Sequence, residues 1–228
     1  VRIAVVNEST VAPNLTRPLL DAICAALSRQ AYEHYAPFWE ASGCDVFAVD
    51  NLAAVPRGAS VMAILDDADQ AGVLGYHDVT PNGRPYSRVF LGPVVANGGT
   101  LFEGANALSV TMSHEALETI GDPYATWWGD GPTGEEHALE LCDPVEGDAY
   151  DVDGVSVSNF VGPRWFSQGA GPYDWLRKLT EPFSMTAGGY MITRTAGKDI
   201  SQTFGAEYPG WKIAGKGHPA ARGVKRHK

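Results

Sequence analysis

His114, Glu115 and Glu118 lie in the stretch SHEALETIGDP, Ser113 to Pro123, and bring one imidazole and two carboxylates together within five residues. On a helix, residues four apart project from nearly the same side, so His114 and Glu118 address one point in space and Glu115 lies beside it. Imidazole nitrogen and carboxylate oxygen are both good donors to a divalent ion such as zinc. A carboxylate next to such an ion is placed to take a proton from water acidified there. The spacing thus supplies two metal ligands, His114 and Glu118, and a general base, Glu115, and leaves a third ligand to be found. The competing reading is a core histidine hydrogen-bonded to Glu118. Against it, three ionisable groups on a mostly apolar helix are costly to bury without a cation.

Charge patterning points the same way. The 228-residue chain carries a net charge of −10, and between Arg88 and Arg164 there are thirteen acids and no Lys or Arg. Several of these acids share segments with aromatic and apolar residues, where a divalent cation would relieve their repulsion. Within that interval Asp143, Glu146, Asp148, Asp151 and Asp153 alternate as oxygen donors to calcium do, without the full D-x-D-x-D-G pattern of an EF-hand, so calcium is a second candidate ion. His137 stands in the same region as a further candidate donor, or as a solvated loop histidine. The three cysteines, Cys24, Cys44 and Cys142, are too scattered for a disulfide framework or a zinc ribbon. Cys142 adjoins the acidic segment as a soft donor or a small buried hydrophobe.

From Trp211 to Lys228 the pattern inverts: Lys212, Lys216, Arg222, Lys225, Arg226 and Lys228 occur with no acid. Such a segment reads as an interaction arm for other subunits of a larger assembly, with the acidic middle of the chain as the alternative target. An acidic chain is not by default a nucleic-acid binder, the arm being the exception. No apolar run approaches the roughly 20 residues that span a bilayer. The N-terminal run is too short and too quickly polar for a signal peptide, so a cytosol-made protein without membrane attachment is expected.

The elements that must position these residues follow from periodicity. RIAVVNES reads as a buried first strand, and Leu19, Leu20, Ile23, Cys24, Leu27, Ala31, Tyr35 and Phe38 recur at helical spacing from about Arg17 to Ala41, with Pro18 in the first turn. CDVFAVDN and ASVMAILDDAD are strand-like. The stretch GVLGYHDVTPNGRPYSRVFLGPVV reads as a hairpin about Pro81-Asn82-Gly83, in which Tyr76-His77-Asp78 lies near the cleft without an assigned role. A second helix is expected from Leu101 to Ile120, ended by Gly121 and Asp122-Pro123. Beyond it, AYDVDG, VSVSNFV and GGYMITRT are short strand candidates. Trp127-Trp128, Trp165-Phe166 and Tyr173-Asp174-Trp175 read as packing or as an aromatic groove. No G-x-S-x-G nucleophile elbow occurs. The expected class is α/β (α+β), a mixed twisted sheet with two main helices followed by a loop-rich part. Its divisions are residues 1–123, an acidic and aromatic part 124–210, and the basic arm 211–228.

A hairpin followed by a helix carrying H-E-x-x-[ligand]-x-x-G resembles the zincin fold. Gly121 falls where metzincin proteases turn toward their third histidine; here Tyr124 holds that position, and Glu118 stands for the second histidine. More closely, SHEALETIGDP followed by ALELCDPVEGDAYDVDGVSVSNFV resembles zincin-like proteins of tailed-phage and bacterial genomes, over roughly residues 60–195. In those, an S-H-E-x-x-E-x-x-x-D-P helix precedes an acidic E-x-C or D-x-C segment. The resemblance implies Glu140 as third zinc ligand, with Asp122, His137 and Asp143 as further candidates. It implies a virion-associated protein with zinc-dependent peptidase activity on a peptide substrate. The alternatives are a purely structural particle protein built on a degenerate protease fold, and a stand-alone bacterial metallopeptidase acting in the cytoplasm.

Overall fold

The computed structural model describes residues 2–70, 72–195 and 200–207. The basic arm from Trp211 onward lies outside the described residues. Strand β1 (Arg2–Asn7) is buried at four consecutive positions, as a strand covered on both faces must be. It runs parallel to β2 (Asp45–Val49) on one side and to β3 (Ser60–Leu65) on the other. Strand β4 (Gly75–Val79) and strand β5 (Pro85–Phe90) form the expected hairpin, and β5 joins β3 in parallel. The sheet order is therefore β2-β1-β3-β5-β4, mixed, with the antiparallel β4 at its edge.

Helix α1 (Arg17–Arg29) starts with Pro18 in its first turn and continues through a π-helical turn, Gln30–Tyr35, into α2 (Ala36–Trp39). Glu40, in the left-handed region at φ 51°, ends it. Two segments between β5 and the end of α4 depart from expectation. The end of the hairpin sequence is not strand but a short helix, α3 (Leu91–Ala96); the amide of Gly92 bonds the Asp66 carbonyl beyond the end of β3, which turns the chain out of the sheet. The main second helix, α4 (Leu108–Gly121), starts seven residues later than Leu101. Gly98 and Gly104, both at positive φ, and a Thr100 side chain that bonds the Glu103 amide hold the intervening residues in turns instead.

Beyond α4, the strands β6 (Trp128–Asp130), β7 (Glu135–Ala138), β10 (Tyr190–Thr195) and β11 (Ser201–Phe204) form an antiparallel sheet in the order β11-β10-β7-β6. Of these only β10 was expected from periodicity. The hairpin of β8 (Ala149–Val152) and β9 (Val155–Ser158) packs on α1 and α4. Its Val152, Val155 and Val157 share one apolar cluster with Ile3, Ile23, Leu27, Met62, Leu108 and Met112. Trp165 is buried, its indole N–H donating to the Ser184 carbonyl, and Trp175 stacks on Phe160; Trp127 is exposed. No helix of the described residues is long and apolar enough to cross a membrane.

Helix α4 is nearly all buried and carries polar side chains on each buried face. Thr119 meets Ser87 of β5, hydroxyl to hydroxyl at 2.7 Å. On the opposite side Ser113 Oγ donates to Gln30 Oε1 at 2.6 Å and accepts the Ser158 amide at 3.0 Å, while Gln30 Nε2 donates to the Ser158 carbonyl at 2.8 Å. One buried amide thus ties the π-helical turn after α1 to α4 and β9. Replacing it by a side chain of similar shape leaves a buried carbonyl without its donor. Gln30→Leu is expected to lower unfolding stability by about 2 kcal/mol, read as a shift of the urea midpoint at unchanged slope.

Candidate metal centre

Helix α4 presents His114 and Glu118 to one side, and Nε2 of His114 lies 3.2 Å from Glu118 Oε1. The chain then returns across the end of α4. Gly121 permits this: a Cβ there would stand 2.5 Å from Leu141 Cδ1. The crossing brings the Cys142 amide to donate to Glu118 Oε1 at 3.2 Å and sets Asp143 Oδ1 3.2 Å from His114 Nε2. Two donors sharing a tetrahedral ion with bonds of about 2.0–2.1 Å stand about 3.3 Å apart, so the spacing around His114 suits zinc.

A second imidazole completes the cluster. Alternation along β4 turns Tyr76 to one face, against Phe90 and Tyr86, and His77 to the other, toward α4. His77 Nδ1 lies 3.4 Å from Glu118 Oε2 and 3.9 Å from Glu115 Oε2, and its Nε2 lies 3.8 Å from Glu140 Oε2. Donor atoms mutually within 4.8 Å fall into two groups among the described residues: His114, Glu118 and Cys142; and His77, Glu118 and Glu140. Glu118 belongs to both.

All these residues except His114, which is slightly exposed, are buried. Neither ring nitrogen of His77 makes a hydrogen bond, nor do Glu118 Oε2 and both oxygens of Asp143. Buried polar atoms in native proteins are ordinarily hydrogen-bonded, and a set of unbonded donors converging on one volume is what a cation site requires. Charge is shared unevenly. Burial alone would depress His77, but Glu140, Glu118 and Glu115 outweigh it and hold its pKa up at about 9. Burial is likewise outweighed at His114, chiefly by Glu118, and its pKa stands well above the ordinary histidine value. Glu118, despite its burial, is held well below the carboxylate range by His114 and His77. Burial and then the charge of Glu118 push Asp143 up to about 6, and burial pushes the Cys142 thiol well up.

The remaining candidates fall elsewhere. Asp122, buried, accepts the Trp127 amide through Oδ2, and burial raises its pKa. His137 pairs with Glu135 at 3.2 Å and packs against Trp165 and Phe183, outside both donor groups. Tyr124 is exposed. The alternating acids disperse: Asp148 pairs with Lys178, Asp151 accepts the Gly154 amide at the tip of the β8–β9 hairpin, Asp153 pairs with Arg29, and Glu146 lines the cleft.

That cleft, about 250 Å³, runs beside His114 and Glu115 and is walled by Gly72–Gly75, Asn106, Thr111 and the Gly147–Gly188 crossing. Glu115 reaches it over Gly75, where a Cβ would stand 2.8 Å from Glu115 Oε1. His77 is the site residue that the sequence left without a role. The one available signal was its place in the hairpin that precedes α4, two residues from that glycine. Comparison of the chain with protein-family models, with curated proteins and with solved structures finds no match.

Without an ion, both imidazoles are held protonated above their unfolded value of about 6.5. The stability this contributes is complete below pH 6.5 and is lost as pH rises through about 9 for His77. In EDTA the Tm is therefore expected to fall between pH 6.5 and 9, and His77→Gln should flatten that fall. Added zinc should raise the Tm more at pH 8.5 than at pH 6.5, because binding must displace the imidazole protons.

Proposed function

We propose that this chain is a zincin-like metal-binding protein that hydrolyses peptide bonds with zinc at His114 and Glu118. The observation that carries the proposal is that His114, which lines the cleft together with Glu115, is backed by Glu118 and Asp143, buried donors with unbonded oxygens. The donor set fits zinc, since imidazole, carboxylate and thiolate are its ordinary ligands. His114 and Glu118 would hold the ion, with Cys142 or Asp143 as the third donor. When bound, the ion supplies Lewis-acid polarisation of a carbonyl oxygen.

The chain's own groups do the rest. Glu115 is placed to accept a proton at its carboxylate and to return it to a departing amine, as a general base and acid. Gly75 leaves room for that side chain between strand and helix. Because β4 is the terminal strand of its sheet, one row of its backbone groups has no strand neighbour among the described residues. An extended peptide could pair there and be led past Glu115. The HExxE helix, its E-x-C segment and the basic arm support placing the protein in a phage particle, where the arm would clasp a neighbouring subunit.

A second reading rests on the closure of the donor set. Glu118 and Cys142 are fully buried, as in structural zinc sites, whereas catalytic sites keep an open position. On that reading the ion rivets a scaffold protein and no bond is cut.

Two substitutions separate the readings. His114→Ala should remove zinc, measured by elemental analysis, and any hydrolysis of a fluorogenic peptide library. Glu115→Gln should keep the zinc and lower kcat/KM by about 10²–10⁴-fold. Wild-type zinc without cleavage of any peptide would leave the structural reading standing. Cleavage by Glu115→Gln at the wild-type rate would refute the assignment of the base.

A further inference from the structure

We infer that the centre holds two divalent ions rather than one, with Glu118 bridging them and His77 and Glu140 binding the second. This inference rests on the metal reading above and adds to it a site on β4 and on the segment that follows β7.

Three observations carry it. The first is the division of Glu118. Its Oε1 faces His114 and the Cys142 amide, while its Oε2 faces His77 at 3.4 Å, so the two oxygens of one carboxylate serve opposite neighbourhoods. A single ion beside His114 would engage Oε1 and leave Oε2, which has no hydrogen bond, buried against an imidazole. Bridging carboxylates of this kind suit ions about 3.5–4 Å apart.

The second is His77 itself. It is buried and neither ring nitrogen makes a hydrogen bond, an arrangement that costs free energy unless something takes up a lone pair or a proton. Each nitrogen has a carboxylate at 3.4–3.9 Å, too far for a good hydrogen bond. One nitrogen on an ion leaves the other to donate to the neighbouring carboxylate, the usual way a ligating imidazole is oriented.

The third is charge. Four carboxylates, Glu115, Glu118, Glu140 and Asp143, face the two imidazoles. With neutral imidazoles, these four carboxylates alone leave an excess of two negative charges beside one divalent ion, a Cys142 thiolate adds a third, and a second ion removes two of them. Uncompensated buried charge is expensive. The nitrogen and carboxylate donors of the second position accept zinc, manganese or cobalt, whereas Cys142 biases the first toward zinc.

The test is the metal stoichiometry of the full chain, stripped with chelator and reloaded with zinc, by native mass spectrometry and elemental analysis. Two equivalents are expected in wild type, and one in both His77→Ala and Glu140→Gln. Should His77→Ala fail to fold, Glu140→Gln and the wild type loaded with manganese decide the matter. Two bridged manganese ions give an exchange-coupled paramagnetic resonance spectrum that a single ion cannot. One equivalent in wild type and in both variants would overturn the second ion, make His77 a positioning residue, and leave the site at His114 intact. Two equivalents retained in both variants would overturn the ligand assignment. No bound zinc in wild type would overturn the underlying metal reading as well.

Discussion

The arrangement turns on one buried carboxylate. Glu118 lies within the apolar body of α4, yet it is held ionised, its pKa well below the ordinary value. A charge taken out of water costs several kcal/mol unless positive or hydrogen-bonding groups replace the solvent. His114 comes from the same helix, one turn earlier. His77 has to come from the sheet edge, and the Cys142 amide from a segment that crosses the helix end. Three parts of the chain must therefore arrive together, and the packing around them can be read as the means of bringing them in.

Those means are close approaches and buried polar ties. Gly75 lets Glu115 lie over β4, and Gly121 lets Leu141 cross α4. Gly189, where a Cβ would stand 2.2 Å from the Pro144 carbonyl, lets β10 pass over the turn that follows Asp143. None of the three is needed for a positive φ; each is a place where a methyl group would push a ligand-bearing segment away. Ser87 with Thr119 on one side, and Gln30 with Ser113 on the other, fix the rotation of α4. An apolar helix packed only by shape has several nearly equivalent rotations, and buried hydrogen bonds select one.

The cleft and the buried donors meet at His114. Cys142 and Asp143 reach Glu118 and His114 from the side of the crossing segment, while His114 and Glu115 line the cleft with Gly72–Gly75 on the other. His114 and Glu118 are held on α4 and His77 on β4, whereas Glu140 and Cys142 come from the segment that follows β7.

Much of this was legible in the residue order. The first strand, the long helix from Arg17, the hairpin about Pro81-Asn82-Gly83 and the separate strands β8 and β9 follow from periodicity and turn chemistry, because those signals are local. So does the pairing of His114 with Glu118, which needs only the pitch of a helix. The start of α4 and the nature of residues 91–96 were not legible, since tertiary hydrogen bonds from the Gly92 amide to Asp66 and from the Gly104 amide to Ser156 override an apolar pattern that fits both strand and helix. Nor was the role of His77. It stands 37 residues before His114 and 41 before Glu118, and nothing local distinguishes it from a strand histidine facing solvent. Sequence by itself determined which side chains could ligate and the elements that carry most of them. Only the tertiary structure decided which of them share a volume, because convergence depends on strand register, helix rotation and the close crossings at three glycines, all of which are long-range.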